Sequence, residues 1–151
     1  MIATGDAAVA WVRTRHPERP LVVAGWSLGA ALAIATVDRH QGEVRGLIAL
    51  SPWTTLAEVA RGIFPEVAVR MMLKEHYDSR AAARRIRVPA LVAHGEMDDL
   101  IPVEQGKEIS SVLAGPTQWV SVPRTGHNDL LGRREVWAAM AGFLAGVSLR
   151  D

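Results

Sequence analysis

The chain contains no cysteine, which removes disulfides, thiolate nucleophiles and zinc–thiolate sites together. It also lacks a charge excess: a formal net charge of +1 over 151 residues offers no long-range field to attract nucleic acid or an acidic lipid surface. Its arginines gather in short runs, "RAAARRIR" at 80–87 and the pair Arg133 and Arg134, which read as solvated helix faces. No apolar run approaches the roughly 18 residues of a membrane span. The opening "MIATGDAAVAW" lacks the basic and apolar regions of a secretory signal, so the sequence as written reads as cytoplasmic. Repeats, low-complexity tracts and linkers are absent as well, which leaves one domain over 1–151.

What is present is an ordinary globular mixture, 49% hydrophobic and 22% charged, and a chain of this length can bury roughly 68–70% of its unfolded surface. Short apolar runs alternate with segments of helical period. Residues 6–15 read as a helix, opened by Asp6 as a cap and closed before His16 and Pro17. "LVVA" at 21–24, "VRGLIAL" at 44–50, "VPALVAHG" at 88–95 and "TQWVSV" at 117–122 read as strands. Between and after them, helices are expected at 28–41 with Gly42 ending it, at 79–85, from Pro102 with Ile109, Val112 and Leu113 on one face, and at 132–144 with Val136, Met140, Phe143 and Leu144 on one face. Such alternation specifies an α/β fold, a parallel sheet of about four strands with helices on both faces.

The first strand runs into "GWSLG" and then an alanine-rich helix. A serine hydroxyl attacks a carbonyl only if it stands clear of the backbone and a base takes its proton. A strained strand-to-helix turn supplies the clearance, and small residues are needed two positions before and after the serine, where strand and helix pass close together. Gly25 and Gly29 hold those positions around Ser27. The helix start also aims the Leu28 N–H at a developing oxyanion.

The partners are expected in the order serine, acid, histidine. "HGEMDDLIP" places both Asp98 and Asp99 beyond the third strand, and "PRTGHNDLL" places His127 in a loop after the fourth. All of these lie at carboxyl ends of parallel strands, on the edge of the sheet that carries Ser27. His16, His40, His76 and His94 read as structural, leaving His127 as the base.

On "GWSLGA", "HGEMDDLIP", "GHNDL" and "SPWTTL", the chain resembles the α/β-hydrolase superfamily, in the branch of small serine hydrolases related to protein depalmitoylases and bacterial esterases. The resemblance implies Ser27 as nucleophile, His127 as general base, Leu28 as an oxyanion donor, and Asp98, four residues after His94, as the acid. It implies acyl transfer from an ester or thioester through an acyl-enzyme, with no metal or cofactor. In this fold the segment 53–78 lies where a cap covers the site; its apolar residues read equally as an acyl-binding wall or as core packing. Trp26, Trp53, Phe64 and Met72 are candidate pocket residues.

Family members begin with several strands before the nucleophile strand, and a turn among them supplies the second oxyanion donor. Here one helix precedes that strand, and the His-Gly pair belongs to the acid strand. The chain is thus expected to be truncated relative to the family: a fragment of a longer hydrolase, a minimal hydrolase completed by self-association through the exposed strand 21–24, or a catalytically weak relative used for binding. A serine peptidase of the same fold is a further alternative.

Overall fold

The computed structural model describes residues 2–55 and 78–148. In chain order these form α1 (Ile2–Arg15), β1 (Val22–Trp26), α2 (Leu28–Arg39), β2 (Gly46–Leu50), α3 (Ser79–Ala83), β3 (Ala90–Gly95), α4 (Val103–Val112), β4 (Thr117–Val122), a 3-10 helix (His127–Gly132) and α5 (Arg134–Ser148).

The four strands make one parallel sheet in the order β1-β2-β3-β4. Crossovers between parallel neighbours are right-handed, so a sheet that grows in one direction collects its crossover helices on one face. That is where α2, α3 and α4 lie. Ala30, Ile34, Val37, Ala83, Ile86 and Ile109 pack there against Leu47, Ala49 and Val92. The alternate strand residues Ile48, Leu50, Leu91 and Ala93 face the other way, where Leu130, Val136, Phe143 and Val147 cover them. The 3-10 helix and α5 supply that second layer. Each fully buried leucine, isoleucine or valine side chain contributes about 1.5–3 kcal/mol.

The structure shifts several sequence expectations. Asp6 lies inside α1, which starts at Ile2, and its carboxylate binds Arg39 and His40 instead of a helix amide. The first strand runs through Gly25 to Trp26, because parallel pairing with Leu50 continues to the turn. The second and third start later than their apolar runs, at Gly46 and Ala90. α2 ends at Arg39 with His40 as its C-cap, before Gly42. His127 opens a 3-10 helix where a plain loop was expected, and the last helix begins at Arg134. On that helix Leu144 is exposed and Val147 takes the buried position, since the buried face is anchored by Val136 and Phe143. Most of the candidate cap, 56–77, lies outside the described residues; Thr55 and Asp78 on either side of it pair as an antiparallel bridge.

Candidate active site

In-register parallel pairing ends the strands together: Trp26 pairs with Leu50, Leu50 with Ala93, and Gly95 with Val122. Whatever follows β1, β3 and β4 therefore meets at one edge. After β1 comes Ser27, held at φ 56° and ψ −120°, a sparsely populated region for a residue with a Cβ. Its N–H donates to Leu50 O at 2.9 Å, and its carbonyl accepts from Ala30 N at 2.9 Å, so the turn is tied to β2 on one side and to α2 on the other. A Cβ on Gly25 would lie 2.0 Å from Gly29 O, so only glycine lets strand and helix close there. The same expectation fails at Gly29, where an added Cβ meets nothing within 4 Å; among the described residues the close approach is one-sided.

After β3, the loop that carries Asp98 is sewn to the end of β4 and the loop beyond it by Glu96 N to Val122 O and Met97 N to Thr125 O, each 3.0 Å. This brings Asp98 Oδ2 to 2.7 Å from His127 Nδ1, while His127 Nε2 lies 3.0 Å from Ser27 Oγ. One neutral tautomer satisfies both contacts: Nδ1–H donates to the carboxylate and the serine hydroxyl donates to Nε2. The other oxygen of Asp98 accepts from Leu100 N at 3.1 Å and Ile101 N at 2.8 Å. Burial pushes the Asp98 carboxyl up, but hydrogen bonds from His94, the Ile101 amide and His127 outweigh it and hold it at about 2. Asp98 is buried, whereas the adjacent Asp99 is exposed.

Trp26 lies against His127, with ring centroids 5.2 Å apart and planes tilted by 31°, which limits how far the imidazole can swing. Trp53 is 2% exposed and packs with Ala31 and Ile101. Phe64 and Met72 lie outside the described residues. Leu28 opens α2, which makes its N–H one of the helix's unpaired first-turn donors. Of the histidines set aside as structural, His16 is exposed, His40 joins a surface ion-pair cluster and His76 lies outside the described residues. His94 is different. Its Nε2 lies 3.3 Å from Asp98 Oδ2, a contact whose only sequence signal is the four-residue spacing within "HGEMD". Among the described residues no cluster of histidine and carboxylates could hold a metal ion, and no helix is long and apolar enough to cross a membrane.

Residues 2–80 match a family model described as serine aminopeptidase, S33. A Mycobacterium tuberculosis protein described as uncharacterized is 34% identical over 148 residues, covering 95% of this chain and 52% of that protein. Acyl-protein thioesterase 1 of Gibberella zeae is 28% identical over 116 residues, 74% of this chain and 42% of the thioesterase. Among solved structures, acetyl xylan esterase 1 from Thermoanaerobacterium superposes with a TM-score of 0.76 at 18% identity, covering 97% of this chain and 52% of that one. The chain thus spans about half the length of these relatives.

Proposed function

The chain belongs to the α/β-hydrolase superfamily, and from that premise we propose that it is a serine hydrolase of carboxylic esters or thioesters. The observation that carries this reading is the unbroken hydrogen-bonded line from Ser27 Oγ through His127 to buried Asp98, with links of 3.0 and 2.7 Å. His127 takes the Ser27 proton as the hydroxyl attacks the carbonyl, and returns it to the leaving alcohol or thiol; water then releases the acyl group by the same route. Asp98 keeps the imidazole in the required tautomer and stabilises the imidazolium. The Leu28 N–H donates to the oxyanion.

The test is labelling with a fluorophosphonate probe, together with turnover of p-nitrophenyl butyrate. The wild-type chain should be labelled and active, and Ser27→Ala should abolish both. A folded chain that is neither labelled nor active would reduce the protein to a binding module on a hydrolase scaffold. The name of the matching family model favours one alternative, a peptidase; turnover of amino-acyl p-nitroanilides in preference to esters would select it.

A further inference from the structure

Asp98 is approached from two sides, and only one approach comes from the base. We propose that His94 is a positioning residue for the triad acid, clamped between α4 and the acid loop so that the Asp98 carboxylate is presented to His127 in a single orientation. The proposal rests on Asp98 being the acid.

His94 is fully buried at the end of β3. Its Nε2 faces two acceptors on the same loop, the Ile101 carbonyl at 2.9 Å and Asp98 Oδ2 at 3.3 Å. The ring therefore carries its proton on Nε2. That N–H anchors the far end of the loop at Ile101 and flanks the same carboxylate oxygen that accepts from His127 Nδ1. The ring cannot turn away, because α4 lies against its other edge: a Cβ on Gly106 would stand 2.2 Å from His94 Nδ1. Glycine inside a helix is unfavourable, and its presence here makes room for the imidazole. Nδ1 itself is buried with no hydrogen-bond partner among the described residues. A leucine or methionine would fill this space without burying an unpaired polar atom; what an apolar side chain lacks is the Nε2–H. The chain of contact thus runs from α4 through His94 to Asp98 and His127, and reaches no substrate atom directly.

The experiment compares wild type, His94→Leu, His94→Gln and Gly106→Ala in the whole chain. The glutamine amide can donate near the Nε2 position, leucine cannot donate, and the new Cβ at 106 displaces the ring without removing it. Three quantities are read: kcat and KM for p-nitrophenyl butyrate, the downfield proton resonance of the His127–Asp98 hydrogen bond, and the thermal midpoint. His94→Leu is expected to lower kcat by about 10²-fold, the scale of a small misplacement of a catalytic group, with KM little changed and the downfield resonance shifted or broadened. His94→Gln should recover most of kcat and the resonance. Wild-type kcat and resonance in His94→Leu overturn the proposal; so do equal losses in the two His94 variants that follow their thermal midpoints, since packing alone would then account for the residue. If His94→Leu does not fold, Gly106→Ala decides, and an unperturbed resonance there overturns the proposal. A wild-type chain without turnover would sink the hydrolase reading separately, because the resonance reports the geometry of Asp98 and His127 whether or not catalysis occurs.

Discussion

Ser27 sits in backbone space that costs a non-glycine residue about 1–3 kcal/mol, and its neighbours reveal what holds it there. Gly25 is irreplaceable on steric grounds, with the carbonyl of Gly29 2.0 Å from any added Cβ, while Gly29 has open space among the described residues. Gly25→Ala should therefore lower the thermal midpoint sharply and remove activity. Gly29→Ala should fold at least as well as wild type, gaining up to about 1 kcal/mol of helix propensity; chemical denaturation of the two variants checks the contrast. The adjacent aspartates offer a second residue-scale test. Asp98→Asn leaves the imidazole in the wrong tautomer and should cost up to about 10⁴ in kcat, whereas Asp99→Asn, on an exposed carboxylate, should stay close to wild type. Equal losses in a p-nitrophenyl ester assay would overturn the assignment. Because Asp98 is held at about 2 in the fold and near 3.9 when unfolded, its ionised form adds stability that is complete above about pH 4 and is lost as pH falls towards and through about 2. Thermal unfolding of wild type between pH 5 and pH 2 should show that loss, and Asp98→Asn should show less of it.

At the scale of elements, α1 is fastened to the end of α2 by charge. Asp6 Oδ1 accepts from Arg39 Nη2 at 2.6 Å and from His40 Nε2 at 2.9 Å, and the other ring nitrogen of His40 lies 2.9 Å from Glu43 Oε1. Arg13, at the other end of α1, donates to the carbonyls of Pro17, Arg19 and Glu43. Hydrogen bonds from His40 to Glu43 and then Asp6 raise its pKa, against the opposing effect of burial. A raised folded value means the stabilisation is complete below the ordinary histidine pKa of about 6.5 and is lost as pH rises through the folded one. Wild type should thus exceed His40→Gln in thermal midpoint at pH 6, with the gap closing by pH 9. A gap that stays constant across that range would mean His40 acts through packing alone.

At the scale of the whole molecule, the decisive feature is the edge of the sheet. β1 has a strand neighbour on one side only among the described residues, and Val22–Trp26 carries no lysine, proline or other device that keeps edge strands apart. Beside it runs an apolar groove of about 330 Å³, lined by residues that include Val9, Val12, Val22, Gly29 and Leu32. The open space at Gly29 belongs to this groove. The 151-residue chain is therefore expected to self-associate through β1 or to aggregate, as read by light scattering over a concentration series with hydrogen exchange at 22–26. A stable monomer whose outward-facing β1 amides are strongly protected would refute this.

Local chemistry carried much of this protein in one dimension. Branched apolar runs marked β2 and β3, because a strand buried on both faces has few other compositions open to it, while the half-exposed end strands β1 and β4 were marked by the glycine and proline residues that bound them. The glycine-flanked serine and the later histidine marked the carboxyl edge, because parallel strands that end together bring their following loops together. Contacts between loops were another matter. The order of residues left Asp98 and Asp99 open and only the resemblance, through the spacing from His94, chose between them; the hydrogen bonds from Met97 to Thr125 and from Ile101 to the carboxylate are what turn Asp98 inward. Likewise, nothing local places His94 between α4 and the loop after β3, which close on opposite sides of its ring. Trp53 became core through its packing with Ala31 and Ile101, and Leu144 became surface because Val136 and Phe143 set the angle of α5 on the sheet. Backbone preference and apolar periodicity act over a few residues, so sequence alone determined the elements and their order; which side chains meet across 29 or 100 positions is set by the path of loops packed against one another, and only the tertiary structure decided it.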